Sequence, residues 1–260
     1  MSEHDSQDSE HTHRPLSDAK RELLGCYIGV NFHPAIRLDR KKGFDFASTI
    51  SDYVQTEKVE STEENWLISN PSQKLTISIT PQSFQFSQLE VRLAQELVDE
   101  RYKVVLDRFA DQFKPEIMLS SAAMIRALLP IDGDARAFIG GHLMNMLPST
   151  IRFMERPLHI LGLRLFFPPY TSANSEHAEV GVEEKKKIHE DWSADVKIES
   201  WLDDPSKLFL EVDGRWDDPK QWDKNSVDEA WSRLSTVSNF VDNELRSYLN
   251  NAPDITGDEE

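Results

Sequence analysis

Cys26 is the chain's one cysteine, so no internal disulfide can close and no multi-thiolate zinc site can form. Basic residues are also short, 29 Lys and Arg against 46 Asp and Glu, for a formal net charge of −17. That shortage argues against direct binding to nucleic-acid phosphates or anionic membranes, where affinity comes largely from Lys and Arg. A partner, if charged, is expected to be basic. No apolar run approaches the roughly 20 residues that a transmembrane helix needs. Met1 to Glu10 lack the basic start and apolar core of a secretory signal. A reducing, cytoplasmic location is the resulting expectation.

What is present suits a folded protein. The chain has 260 residues, 38% of them hydrophobic, enough for one large core or two smaller units. Residues 1–20 are polar and read as a disordered tail, and 251–260 as an acidic one. Leu23 to Phe32 reads as a first strand. Phe46, Ile50 and Val54 share a helical spacing within a helix over Phe44 to Val54. Trp66 to Ser69, Lys74 to Thr80 and the Phe84 and Phe86 segment then alternate as an antiparallel meander, with turns at Asn70-Pro71-Ser72-Gln73 and Pro81-Gln82. Val91, Ala94, Val98, Tyr102, Val105, Phe109 and Phe113 form a long helical stripe closed by Pro115.

The second half follows a similar order. Ile117 to Leu129 is apolar and suits either strand or helix. Asp132-Gly133-Asp134 offers a turn and an N-cap for a helix over Ala135 to Leu147. The most apolar run, Arg156 to Pro169, has apolar residues on both faces, as in a central strand covered on both sides or one bent at Gly162. Tyr170 to Asp191 reads as a long exposed loop. Ala194–Leu202 and Leu208–Trp216 alternate as a hairpin, inward at even positions. The register that suits its side chains pairs Ile198 with Val212, Trp201 with Phe209 and Lys197 with Asp213. Ser226 to Glu229 reads as a capping box for a closing helix. Its stripe runs through Val227, Ala230, Trp231, Leu234, Val237, Val241, Leu245 and Tyr248.

The expected fold class is therefore α+β. Two similar β-α-β-β-β-α halves, 21–115 and 116–250, would each pack a curved antiparallel sheet on a long helix, in the manner of TBP-like or helix-grip folds.

Val30-Asn31-Phe32-His33-Pro34, Asn65-Trp66-Leu67-Ile68-Ser69 and the run from Leu75 to Phe84 carry a resemblance. So do Tyr102 and Phe109, and the layout from Asp195 to Asp213. Together they resemble a sporadically distributed bacterial family of uncharacterised proteins of about 250 residues. The family's glycine-leucine-arginine-tyrosine strand corresponds loosely to Gly162-Leu163-Arg164-Leu165. The resemblance implies a fold layout over most of residues 23–250 and brings no established activity.

Candidate chemistry is sparse. His4, His11 and His13 suit a solvated tail more than a metal site. His189-Glu190 lacks the second histidine of a helical zinc site, and Gly140-Gly141 lacks the Lys and Ser/Thr of a phosphate loop and reads as close helix packing. Cys26, in an apolar strand, reads as a buried structural thiol. Asp203, Asp204, Asp213, Asp217, Asp218 and Asp223 read as turn and strand-exit residues. No metal and no cofactor is expected.

Arg164 stands out, because a guanidinium amid Leu163, Leu165 and Phe166 must reach water, an internal carboxylate or a ligand. It heads the candidate binding residues, with His159, Trp201 and Phe209. His159 alone also reads as a satisfied core histidine. Without a nucleophile and base, the leading expectation is a non-enzymatic protein–protein interaction module: an adaptor, regulator or antitoxin-like neutraliser. The alternative is a small-molecule sensor with an apolar pocket between sheet and long helix, lined by Phe84, Phe86, Phe166, Phe167 and Trp216.

Overall fold

The computed structural model describes Leu16 and residues 20–89, 100–144, 152–153, 156–157, 159–169 and 192–251. Its two longest strands, β1 (Glu22–His33) and β6 (Ile117–Pro130), pair antiparallel, with Cys26 opposite Ile125 and Val30 opposite Ser121. Both carry small or β-branched side chains on a mostly alternating pattern, which suits strands paired on both sides.

Around them a single sheet extends in both directions. On one side lie β2 (Lys58–Ser61), β3 (Trp66–Asn70), β4 (Leu75–Ile79) and β5 (Ser83–Leu89). On the other lie β9 (Gly162–Phe167), β10 (Ser193–Ser200) and β11 (Lys207–Trp216). The spatial order is β2-β3-β4-β5-β1-β6-β11-β10-β9, and the short β12 (Lys220–Gln221) also pairs with β6. Two two-residue strands, β7 (Arg152–Phe153) and β8 (Arg156–Pro157), form a separate ribbon.

The helices cover one face. Asp39 caps α1 (Arg40–Val54), accepting from the Lys42 backbone N–H at 2.8 Å. Phe46, Ile50 and Val54 point from it into the core. α2 (Glu100–Phe113) ends where Lys114 turns left-handed before Pro115. α4 (Ser226–Asn239) crosses β1, β6 and β11 and touches α2, which touches α1. Phe109 packs against Phe32 at 5.2 Å, Phe84 at 5.0 Å and Phe113 at 5.1 Å, and Trp66 closes on Phe113 at 5.5 Å. Burying a ring of this kind fully is worth roughly 1.5–3 kcal/mol of transfer free energy. The fold is thus α+β, a many-stranded antiparallel sheet packed against several helices.

The segment from Ile117, open between strand and helix in the sequence, is a strand. Several expectations are corrected. A short edge strand, β2, precedes the three strands of the meander, its Lys-Val-Glu-Ser sequence too short and polar to register. The apolar run is no central strand: β9 starts at Gly162 and ends the sheet, pairing with β10 among the described residues, and Phe166 is 66% exposed. Leu16 is not part of a structureless tail, since it is buried and bridges Ile131.

The hairpin keeps its expected inward face, but its register differs by two residues: Val196 opposes Val212 and Glu199 opposes Phe209. Alternation fixes the parity of a pairing and leaves even slips open. Here the tight turn decides, with Asp204 accepting from the Ser206 backbone N–H at 3.0 Å and hydroxyl at 2.6 Å. Leu202, expected inward, lies in that turn and is 59% exposed.

Asp134 does cap α3 (Ala135–Ala137), which continues as a π turn over Phe138–Leu143. Of the Gly140-Gly141 pair, Gly140 is buried, while a Cβ at Gly141 would meet nothing. Ser226 is not an N-cap. Its hydroxyl accepts from the Asp223 backbone N–H at 2.8 Å, while Glu229 pairs with Lys220 and Arg233. The closing helix runs from α4 through a π turn at Phe240–Leu245 into α5 (Arg246–Asn251). The extra residue of that turn buries Leu249 and leaves Tyr248 at the surface. The expectations on Val91, Ala94, Val98, residues 145–147, the loop over Tyr170 to Asp191, the three tail histidines and 252–260 lie outside the described residues.

Candidate functional site

Strand parity builds the candidate site on the sheet face away from the helices. From Cys26 to Phe32 on β1 the even residues are buried, and Tyr27 and Asn31 look outward. In the row through Gly29, the neighbours are Gln85 on one side and Ala122 on the other, and Arg215 follows Ala122. The adjacent rows hold Tyr27 beside Met124, and Asn31 beside Ser120. Two small residues side by side amid larger ones leave a hollow of about 390 Å³. Gly29 and Ala122 form its floor, Tyr27 and Met124 one wall, Asn31 and Ser120 the other, with Gln85 and Arg215 at the ends.

The walls are held in place. Asn31 Nδ2 donates to Ser120 Oγ at 2.8 Å. Arg215 donates to Asp213 Oδ2 through Nε at 3.1 Å and Nη2 at 2.7 Å, which raises the guanidinium's already high pKa. Tyr27 lies along its own strand over Gly29, since a Cβ there would fall 2.3 Å from the phenol oxygen. Burial pushes the Tyr27 phenol up, and Asp213 pushes the same way while Arg215 opposes. The hydroxyl therefore stays protonated at neutral pH and can donate to an acceptor in the hollow.

The same face carries ion pairs on one half and uncharged side chains on β5 and β4. Across β6, β11, β10 and β9, Arg126 pairs with Glu211 at 2.5 Å, Lys197 with Glu199 at 3.0 Å, and Arg164 with Asp195 through Nε and Oδ1 at 2.8 Å. A second contact, Nη2 to Oδ2, makes the last a fork. Arg164 holds the Asp195 carboxyl below the usual carboxylate range. With Arg215 and Asp213, each of these four cations has its anion. Across β5 and β4 the outward positions are Gln85, Ser87, Thr76 and Ser78, all uncharged.

The structure brings three of the four candidate residues together. Trp201 stacks on Phe209 at 5.7 Å, Lys197 Nζ lies 5.7 Å from the Phe209 centroid, and Arg164 is the cross-strand neighbour of Lys197. His159 stays apart, exposed ahead of β9, and is no core histidine. Arg164 is exposed and forks onto Asp195, so its guanidinium reaches both water and a carboxylate of its own chain. Tyr27, Asn31 and Met124 escaped notice, although a glycine inside an apolar strand is itself a signal of close approach.

Of the expected pocket lining, Phe84, Phe86 and Trp216 are core. A separate cleft of about 250 Å³ opens between the sheet's far end and the closing helix, lined by Phe167, Trp192, Phe240, Leu245 and Tyr248 among others. Cys26 is buried, which pushes its thiol up to about 12. Among the described residues, no group of three or more His, Cys, Asp and Glu gathers closely enough to hold a metal ion. Nor is any helix among them long and apolar enough to cross a membrane. No protein-family model matches the chain, and no curated protein matches it in sequence.

Proposed function

We propose that the chain is a non-enzymatic protein-interaction module, an adaptor, regulator or antitoxin-like neutraliser of the bacterial cytoplasm, that receives its partner on the open face of the sheet. The observation that carries this reading is the face itself, on which no helix among the described residues packs. The helices α1, α2 and α4 lie on the opposite side, and the outward residues are set in ion pairs and an aromatic stack rather than left to solvent. Ordered polar groups around aromatic anchors suit a protein partner, because little side-chain entropy remains to be lost on docking. The face is close to neutral in sum, so the net charge of −17 acts at longer range, drawing in a basic partner before the face sets its orientation.

The strand order supports a duplicated origin as part of this reading. β5 returns beside β1 as β11 returns beside β6, and β1 and β6 meet at the centre. Halves related in this way, TBP-like or helix-grip-like, would join into one continuous saddle.

The test is capture of partners by the tagged chain, repeated with the double variant Arg164→Met, Trp201→Ala and with Lys41→Ala on the exposed side of α1. The partner should stay on the wild type and on Lys41→Ala and leave the double variant at unchanged melting temperature. Retention by the double variant would overturn the reading. Affinity that falls steeply with added salt would mark the partner as basic.

A second reading, a small-molecule sensor, draws support from the 250 Å³ cleft between sheet and helix. Its volume lies just below the usual range of roughly 300–1,000 Å³ for drug-sized ligands, which suits a small head group more than a large apolar molecule.

A further inference from the structure

The two ends of the sheet are built differently. β2 ends it on one side as a short strand, Lys58-Val59-Glu60-Ser61, with Lys58 and Glu60 paired at 2.5 Å. Brevity and charge of this kind keep an edge strand from pairing with another chain. β9 ends it on the other side as Gly162-Leu163-Arg164-Leu165-Phe166-Phe167, without an acidic residue and apolar on both faces. It pairs with β10 in an unbroken register and, among the described residues, with no strand beyond.

Hydrogen bonds just ahead of β9 fix which backbone groups this edge presents. Leu161 turns both of its groups toward β10. Its C=O accepts from the Ser200 backbone N–H at 2.9 Å, and its N–H donates to the Ser200 hydroxyl at 3.1 Å. Successive residues of an antiparallel ladder alternate in direction. Leu163, Leu165 and Phe167 therefore bond to β10, and Gly162, Arg164 and Phe166 aim their N–H and C=O groups away from it. The side chains divide in the same way. Arg164 and Phe166 lie exposed on the open face, while Leu165 packs against the core and Phe167 meets Phe240 on the helix face.

We propose that β9 is a dimerisation edge, pairing antiparallel with β9 of a second copy of this chain about a twofold axis through Leu165. Opposite residues in a continuous sheet share a face, so the axis must pass through a residue. An axis through Arg164 would set it against the partner's Arg164, like charge on like charge. An axis through Leu165 sets Arg164 opposite the partner's Phe166, and the two exchange backbone N–H···O=C bonds. On the helix face it sets Leu165 against the partner's Leu165, and Leu163 against the partner's Phe167. Each pair is then apolar, or a cation beside a ring. One strand supplies both sides of the contact, as isologous pairing requires. The contact uses the strand's edge and does not rest on the open-face reading.

The experiment follows the mass of the full chain, without any partner, by light scattering over a range of concentrations. The mass should rise from one chain to two. Added salt should strengthen the dimer, because it screens the repulsion between two chains of net charge −17. Phe166→Pro removes an N–H that points away from β10, so it should abolish the dimer and leave the monomer's melting temperature unchanged. Leu165→Cys should give a disulfide-linked dimer on oxidation. Partners that are not hydrogen-bonded stand about 4.5 Å apart at Cα, within the roughly 4.4–6.8 Å of a disulfide. Leu163→Cys, which faces the partner's Phe167, should not link, and the buried Cys26 takes no part. A mass that stays at one chain throughout overturns the proposal. So does a dimer that survives Phe166→Pro, or one that links through Leu163→Cys and not through Leu165→Cys.

Discussion

Replacing Leu249 and Tyr248 by alanine, one at a time, should give opposite answers to what a regular helix predicts. The core stripe of the closing helix runs through Leu234, Val237, Val241 and Leu245. At 100° per residue, a regular helix would place Tyr248 roughly 25° from the stripe's centre and Leu249 roughly 75° away. The π turn at Phe240–Leu245 inserts close to one residue and turns the last stretch back by nearly that residue's rotation. Leu249 becomes fully buried at 0% exposure, while Tyr248 is left 48% exposed. Leu249→Ala should therefore cost about 3 kcal/mol, within the usual range of roughly 2–5 for a buried leucine. Tyr248→Ala, with half its surface already in water, should cost less than about 1 kcal/mol.

Urea unfolding followed by tryptophan fluorescence reads both, and an unchanged slope confirms that stability alone has moved. For a chain of this size the Leu249 variant should melt about 6–12 °C lower. Deleting the exposed Asn243 should restore regular pitch and move the larger loss to Tyr248. A Tyr248→Ala cost equal to or above that of Leu249→Ala would refute the π turn and, with it, the construction of the aromatic cleft.

Gly43→Ala should destabilise the protein despite alanine's helix preference of about 1 kcal/mol. The new methyl would fall 2.2 Å from Ser61 Oγ and 3.0 Å from Trp66 Cδ2, an overpacking worth about 1–3 kcal/mol; a stabilised variant in thermal unfolding would show that α1 stands off from β2 and β3. Cys26 should resist thiol reagents at pH 8 in the folded protein and react on unfolding. Its pKa is raised to about 12, so the thiolate is absent across the neutral range and forms only as pH climbs toward that value; rapid labelling of native protein would contradict this. In the hairpin, Glu199→Cys with Phe209→Cys should oxidise to a disulfide, because the two are direct partners. Glu199→Cys with Glu211→Cys should not, and the reverse outcome on a non-reducing gel would restore the other register.

Much of the fold was legible where a pattern had a single solution. Leu75, Ile77 and Ile79 alternate on a strand with one buried face, and Phe46, Ile50 and Val54 share one face of a helix, so strand and helix followed directly. Two-sided apolar character misled at β9. Leu163, Leu165, Phe166 and Phe167 look like a covered strand, yet the edge leaves Phe166 in water. The hairpin's inward face was readable from alternation and its register was not, because the turn around Asp204 chooses among even slips. A π turn leaves no mark in local composition, which is why Tyr248 was placed in the core.

For the candidate site, three of four residues converge on one face, where Arg164, Trp201 and Phe209 meet around Lys197. The central hollow was missed because it depends on Gly29 lying beside Ala122. That is a long-range register, and neither residue carries chemistry by itself.

The proposal that the partner docks on the open face is tested most directly by hydroxyl-radical footprinting of the complex, read by mass spectrometry. Tyr27, Met124, Trp201 and Phe209 on the open face, and Phe44 and Trp231 among the helices, are all oxidisable. Binding should lower oxidation of the first four and leave Phe44 and Trp231 unchanged. Protection of Phe44 and Trp231 with Tyr27, Met124, Trp201 and Phe209 unaffected would place the partner on the helices and contradict the account.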